Sequence, residues 1–167
     1  IELRTGPALF ITGTSGTHQV PLTNVRRAVF GEDAGLVGLR NLGYHLYRGT
    51  WLQLPDFAVL KPASSGPLVD NLVTLYPNDA TAGYAMVFKS ELHVPVKGVY
   101  QFFMGSDDGT RLSLDGKPVI DNDGRHGFRE RQGQLELAAG KHDFKLEYFN
   151  HSAAALLRLD WSGPGIP

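Results

Sequence analysis

Short segments of alternating apolar residues, divided by glycine and proline, run through this 167-residue sequence. An apolar residue at every second position is typical of a β-strand with one buried face. Twenty glycines and ten prolines argue against long helices, and only residues 51–60 are compatible with a helical turn. We therefore predict an all-β protein, an antiparallel sandwich or barrel with few or no helices. The alternating positions are Tyr84, Met86 and Phe88; Leu112 and Leu114; Leu135 and Leu137; Phe144, Leu146 and Tyr148; and Leu157, Leu159 and Trp161.

Two of the connections carry residues that favour tight turns. Asp115–Gly116 predicts a two-residue hairpin, because both residue types tolerate the left-handed conformation that such turns need. Ala139–Gly140–Lys141 predicts a second hairpin, between the strands expected over residues 134–138 and 142–149.

Composition limits the classes of partner. The net charge is −1, with 16 basic and 17 acidic side chains and no basic run, so we expect no binding to nucleic acid. No apolar stretch approaches the roughly 20 residues of a membrane-spanning helix, so we expect no membrane insertion. The absence of cysteine excludes a disulfide framework and a thiolate zinc site.

The sequence divides into a short first part and one larger domain. Residues 1–35 are interpreted as an N-terminal extension or the end of a preceding module, with candidate strands at ALFITG and VRRAVF. Residues 36–167 are predicted to form the sandwich domain. Because the first residue is Ile1 rather than Met, we expect this chain to be a segment of a longer protein.

Asp107 and Asp108 lie where the apolar segment 99–104 ends. Side chains of consecutive strand residues point to opposite faces, so the two carboxylates converge only if the backbone bends, through a bulge or a cis peptide. Gly109 permits a sharp turn at this point. Converged carboxylates repel each other, and a hard divalent cation with oxygen ligands would neutralise them. The alternative is an ordinary solvated turn.

Four segments follow one another from about Gly35 to Pro164: GLRNLGYHLYRGTWLQLPDFAVLKPASSG, YAMVFKSELHVPVKGVYQF, YQFFMGSDDGTRLSLDGKPVIDNDGRHG and GQLELAAGKHDFKLEYFNHSAAALLRLDWSGPG. Their motifs and order resemble the PA14 family of β-sandwich modules. The resemblance implies a sandwich fold. In lectin-like members of that family, the paired aspartates are joined by a cis peptide and bind calcium, which coordinates vicinal sugar hydroxyls.

The resemblance also implies further calcium ligands in a second loop. Calcium takes six to eight oxygen ligands, so two aspartates are too few. The family pattern places a side-chain oxygen at Asn150 and main-chain carbonyls at Ser152 and Ala154, with water or sugar oxygens completing the shell. Alternatively, Asn150 only caps or turns the chain.

The segment VIDNDGRHGF is our candidate for sugar selection at the rim. Its polar side chains offer donors and acceptors, and Phe128 offers an apolar platform. Alternatively, Asp121 and Asn122 stabilise their own turn, and Arg125 and His126 are solvated. The predicted carbohydrate-binding residues are Asp107, Asp108, Asp121, Asn122, Arg125 and His126.

Other chemistries have weaker support. Asp121, Asp123, Gly124 and Glu130 match four positions of an EF-hand loop, but its first position is Val119 and no flanking helices are predicted. There is no GxSxG motif and no glycine-rich phosphate loop. Adjacent carboxylates held ionised by one ion cannot act as the separated acid and base of a glycosidase.

We therefore predict a calcium-dependent carbohydrate-binding module rather than an enzyme. We expect it to belong to a secreted or cell-surface protein, and the absence of cysteine favours a bacterial source. Expected partners are a glycan or polysaccharide and other domains of the parent chain, with the isolated domain monomeric. Two alternatives stay open: a structural module in which calcium only braces the loops, and an enzyme with unrecognised catalytic residues.

Overall fold

The computed structural model of the protein describes residues 8–13, 16–21, 37–68, 71–75, 82–152 and 155–166. These residues contain eleven β-strands and no α-helix, so the all-β prediction is confirmed. Accordingly, they include no helix of the length and apolarity that a membrane crossing requires.

The chain divides into two compact units. In the first, β1 (Ala8–Gly13) and β2 (Gly16–Pro21) form an antiparallel hairpin. The predicted strand ALFITG is β1, and the candidate VRRAVF lies outside the described residues. The second unit extends from Gly35 to Ile166 and contains the remaining strands.

The second unit is a sandwich of two antiparallel sheets. The six-stranded sheet has the order β4-β3-β5-β10-β7-β8, and the three-stranded sheet has the order β11-β6-β9. The strands are β3 (Gly38–Arg48), β4 (Ser64–Pro67), β5 (Tyr84–Val94), β6 (Gly98–Asp107), β7 (Thr110–Leu114), β8 (Lys117–Asn122), β9 (Arg129–Leu137), β10 (Gly140–Asn150) and β11 (Leu156–Ser162).

The core lies between the two sheets and is rich in aromatic side chains. The large sheet contributes Tyr84, Phe88 and Tyr148, and the small sheet contributes Tyr100 and Phe102, all fully buried. These side chains occupy alternate positions of their strands, because alternate residues of a strand share one face. Burial of such large apolar surfaces provides the main driving force for closing the sandwich.

The first half of β5 departs from the predicted half-buried pattern. Ala85 and Val87 are buried as well as their neighbours, although they point away from the core. They pack in a second cluster with Tyr47, Leu54 and Phe149. Part of segment 51–60 covers this outer face, because it supplies Leu54 to the cluster and three partly buried side chains around it: Trp51, Phe57 and Leu60.

One predicted turn is confirmed and the other is wrong as a hairpin. Asp115 and Gly116 have φ values of 50° and 73° and join the paired strands β7 and β8. Gly140, in contrast, begins β10, which pairs with β5 and β7 in the large sheet, whereas the preceding β9 pairs with β6 in the small sheet. Gly140 does have a positive φ of 116°. Turn residues do not determine which strand the next segment pairs with, and here the chain crosses from one sheet to the other.

Candidate functional site

The acid pair lies where β6 ends and the chain turns toward β7. Asp107 is the last residue of β6, and its peptide bond to Asp108 is cis, as the family resemblance implies. Asp108 is only 2% exposed, and Asp107 is half-buried. Gly109 is required next, since a Cβ there would collide with the ring of Phe149 and lie 3.0 Å from the main-chain nitrogen of Gly124.

The carboxylate of Asp108 connects two loops. Its Oδ1 accepts a hydrogen bond from the main-chain N–H of His126 at 3.0 Å, in the loop between β8 and β9. Its Oδ2 accepts one from the main-chain N–H of His151 at 2.8 Å, immediately after β10. Hydrogen bonds to an ionised acceptor are about twice as strong as neutral ones. Asp108 therefore holds both loops beside the strand end that carries the acid pair.

A buried polar network supports the turn from β6 to β7. Ser106 and Thr110 are fully buried, and their hydroxyl oxygens lie 3.1 Å apart. The amide nitrogen of Asn122 donates to Ser106 Oγ at 3.0 Å, and its Oδ1 accepts from Arg129 Nε at 2.6 Å. Sequence reasoning missed Ser106, Thr110 and Arg129, although the two hydroxyl residues flank the acid pair in GSDDGT.

The predicted ligand Asn150 ends β10 and is fully buried. Its Nδ2 donates to the hydroxyl of Tyr148 at 3.4 Å, and that hydroxyl donates to the main-chain carbonyl of Asp107. Burial raises the pKa of Tyr148, so its hydroxyl stays protonated and remains a donor. Tyr148 thus links Asn150 to Asp107. Ser152 is exposed in the following loop, and Ala154 lies outside the described residues.

The electrostatics of the acid pair are unfavourable for two free carboxylates. Burial, together with the negative charge of Asp108, raises the pKa of Asp107, and His126 offsets this in part. Among the described residues, neither Asp107 nor Asp108 forms an ion pair with lysine or arginine. A bound cation would supply the missing positive charge.

The donor set consists of oxygen atoms. Within the described part of the chain, no three side chains from His, Cys, Asp and Glu form a metal-binding group. The candidate ligands are instead two carboxylates, one amide oxygen and main-chain carbonyls. Such oxygen donors fit calcium, which accepts carboxylate, amide and main-chain oxygens together, rather than zinc.

The other predicted rim residues have different surroundings. Asp121 is exposed and pairs with Arg111 at 3.2 Å. Arg125 is exposed. The His126 ring lies between two main-chain carbonyls, 2.9 Å from that of Asn122 and 2.7 Å from that of Gly127. The structure therefore brings His126 to the acid pair and places Asp121 against Arg111.

The ring of Phe128 lies over Gly105 of β6. A Cβ at Gly105 would be 2.7 Å from that ring, so the glycine provides the space it occupies. Phe128 nevertheless keeps 52% of its surface exposed. Its ring is therefore both supported by the sheet and accessible from solvent.

Segment 51–60 is attached to the same rim through contacts that sequence reasoning missed. Asp123 Oδ1 accepts from the main-chain N–H of Leu54 at 2.7 Å and from that of Gly124 at 2.6 Å. His151 Nδ1 lies 2.8 Å from the carbonyl oxygen of Trp51. Nothing local in the sequence indicates the contact of Asp123 with Leu54, 69 positions away.

This architecture is that of an antiparallel β-sandwich module with an acidic site at the rim between its loops. The PA14 domain model matches residues 70–167, which include every predicted site residue. The chain belongs to the PA14 domain family, and the predicted membership and sandwich fold are confirmed.

Similar proteins include both regulatory and sugar-binding molecules. The chain is 35% identical over 119 residues to anti-sigma-I factor RsgI3 of Acetivibrio thermocellus, covering 69% of this chain and 18% of that protein. A solved anti-sigma factor domain-containing protein is 25% identical with a TM-score of 0.61, covering 79% of this chain and 45% of that one. The chain thus spans less than half the length of both. The PA14 sugar-binding domain from an RTX adhesin shares the fold, with 19% identity, a TM-score of 0.59 and coverage of 76% and 90%.

Proposed function

We propose that this domain is a calcium-dependent carbohydrate-binding module. In this proposal, Asp107, Asp108 and the side chain of Asn150 bind the ion, together with the main-chain carbonyls of Ser152 and Ala154. The fold shared with a PA14 sugar-binding domain supports carbohydrate as the kind of partner. Calcium and the ligand set are the further steps that experiment must test.

The observation that carries the proposal is the uncompensated negative charge of the acid pair. Asp107 and Asp108 are adjacent, Asp108 is buried and Asp107 is half-buried, and neither forms an ion pair with lysine or arginine among the described residues. Two main-chain hydrogen bonds fix the position of the Asp108 carboxylate beside Asp107. Burial and the negative charge of Asp108 raise the pKa of Asp107, and a divalent cation would offset both effects by stabilising the ionised carboxylates.

Calcium would also solve the problem of binding a neutral sugar. Sugar hydroxyls exchange hydrogen bonds with water for hydrogen bonds with protein at little net gain. An ion with exchangeable ligands adds charge–dipole attraction and fixes the geometry of two neighbouring hydroxyls.

Rim side chains would then select among sugars. Arg125 and the ring of Phe128 are the accessible candidates on the loop between β8 and β9. Asp121 is also exposed. Asn122 forms buried side-chain hydrogen bonds, and the ring nitrogens of His126 lie against main-chain carbonyls, so these two residues are better suited to positioning the loop.

We further propose that the parent protein is a bacterial secreted or cell-surface protein and that the isolated domain is a monomer. The similarity to anti-sigma-I factor RsgI3 favours a second candidate, in which this domain is part of an anti-sigma factor. The two candidates are compatible, since binding of a sugar by one domain can serve a regulatory protein. A third possibility is that calcium only braces the loops.

Glycan-array binding in calcium and in chelator, with the Asp107→Asn variant, tests the proposal. Among the described residues, the Asp107 carboxylate accepts no hydrogen bond, so this variant removes charge while leaving the loop contacts of Asp108 in place. Asp143→Asn is the matched control, because it removes an exposed carboxylate of β10 that belongs to neither the ion site nor the rim.

We expect chelator and Asp107→Asn to abolish binding to the mono- and disaccharides of the array, and Asp143→Asn to retain their calcium-dependent binding. Binding of these short sugars that persists in chelator at the same strength would contradict the proposal. A calcium-dependent rise in melting temperature without binding to any glycan would support the bracing alternative instead.

A further inference from the structure

The outer face of the three-stranded sheet exposes an unusual row of side chains along its central strand, β6. The inward positions of β6, Tyr100, Phe102 and Met104, are buried in the core. The positions between them therefore face outward, and they are Val99, Gln101, Phe103 and Gly105.

Apolar side chains recur along this row. Val99 is 50% exposed and Phe103 is 39% exposed, and the ring of Phe128 lies over Gly105. Among the described residues, Phe103 and Phe128 are the only exposed phenylalanine, tyrosine or tryptophan side chains. Val99 and Phe103 are four positions apart, which is about 13 Å in a strand, and Gly105 under the Phe128 ring follows two positions later. Apolar groups therefore recur along the face.

Neutral hydrogen-bonding groups lie beside these platforms. Gln134 of β9 is opposite Gln101, and Gln132 is opposite Phe103. The three glutamines and Gly133 line an open hollow of about 260 Å³. On the other side of β6, Ser162 is opposite Gln101.

Charge is compensated or lies at the ends of the row. Arg158 and Asp160 of β11 form an ion pair with each other at 2.5 Å. Glu136, opposite Val99, pairs with Lys97 at 3.3 Å. Glu130 is opposite Gly105, at the other end. The Arg158–Asp160 pair lies opposite Gly105 and Phe103. Besides this pair, the middle of the face offers amides, a hydroxyl and an aromatic ring, without an unpaired charge among the described residues.

We propose that this face binds a linear, uncharged polysaccharide along β6, at a site distinct from the acid pair. Aromatic rings accept the C–H faces of sugar rings, and amides both donate to and accept from hydroxyls. The absence of uncompensated charge in the middle suits an uncharged chain. The inference rests on the carbohydrate-binding part of the proposed function, but it needs no calcium.

The position of Phe128 makes this face continuous with the rim. Phe128 lies two residues after His126, and the main-chain N–H of His126 donates a hydrogen bond to Asp108. One end of the row thus lies in the loop that the acid pair holds. A polysaccharide strand can accordingly extend from the rim onto the face, whereas a single sugar can occupy only one of the two sites.

Affinity electrophoresis in native gels tests this inference. The gels contain one of three uncharged polysaccharides, mixed-linkage β-glucan, glucomannan or arabinoxylan, with polygalacturonate as the charged comparison. Each gel is run with calcium and with chelator. The variants are Phe103→Ala, Gln134→Ala and Asp107→Asn, and Val59→Ala removes an exposed apolar side chain outside the face as the control.

We expect at least one uncharged polysaccharide to retard the protein in chelator. Phe103→Ala should weaken this retardation about tenfold, equivalent to ~1.4 kcal/mol. Gln134→Ala should weaken it less, and Val59→Ala and Asp107→Asn should leave it unchanged.

Three results would overturn the inference: no retardation by any uncharged polysaccharide, retardation only in calcium, or an equal effect of Val59→Ala. Self-association that Phe103→Ala abolishes, measured by sedimentation velocity without polysaccharide, would assign the face to a second copy of the chain instead. If the protein shows no calcium-dependent glycan binding but is still retarded in chelator, the rim site is refuted and the inference about this face stands.

Discussion

Replacement of Asp108 by alanine should destabilise the domain even without calcium. The change deletes both acceptors for the main-chain N–H groups of His126 and His151. A hydrogen bond to a charged group contributes about 1.5–3 kcal/mol, and an unsatisfied donor costs about 1–3 kcal/mol. Because both bonds are only partly buried, water replaces some of the loss, and we expect a total of about 2–4 kcal/mol.

Urea unfolding in chelator measures this effect without interference from bound ions. With a slope of about 2 kcal/mol per molar urea, the middle of the usual range, the transition midpoint should fall by about 1–2 M while the slope stays constant. Asp121→Ala is the control, because it removes an exposed carboxylate paired with Arg111 and should cost about 0–1 kcal/mol. Equal midpoints for the two variants would refute the argument that Asp108 holds both loops.

Two further predictions concern stability away from the ion. Burial lowers the pKa of His142, but its hydrogen bonds to the Ala138 carbonyl and the Asp115 carboxylate outweigh burial and raise it. The contribution of His142 to the free energy of unfolding should therefore be complete below about pH 6.5 and decline as pH rises through the higher folded pKa. His142→Ala should accordingly lower the free energy of unfolding more at pH 5.5 than at pH 8.5. An equal loss at both pH values would contradict this prediction. Gly109→Ala should cost about 1–3 kcal/mol in urea unfolding through collision with the Phe149 ring, whereas Gly127→Ala, which meets nothing within 4 Å, should have little effect; similar costs would refute the steric account.

The strands of the sandwich were predictable because burial imposes a period of two on the sequence. Leu112, Leu114 and Leu146 show this period and are fully buried in the core. The pattern fails where a strand is covered on both faces, as at Ala85 and Val87, because the covering segment is distant in sequence. It also gives no information on which sheet a strand joins, which is why the turn before β10 was misassigned.

The candidate site was predictable to a different extent at each residue. The acid pair was conspicuous as two adjacent charges at a strand end, and family resemblance supplied its cis peptide. The loop contacts of Asp108 were not predictable, because they use main-chain N–H groups, which every residue except proline carries. Likewise, the sequence does not indicate that Asn122 is buried with its side chain bonded to Ser106 and Arg129.

The most direct test of the central claim is the electron density of crystals grown in calcium, at a resolution that distinguishes an ion from water. We predict a calcium ion about 2.3–2.6 Å from oxygens of Asp107, Asp108 and Asn150, with at least one ligand position held by water or a sugar hydroxyl. Density for water alone beside the acid pair, at saturating calcium, would contradict the account.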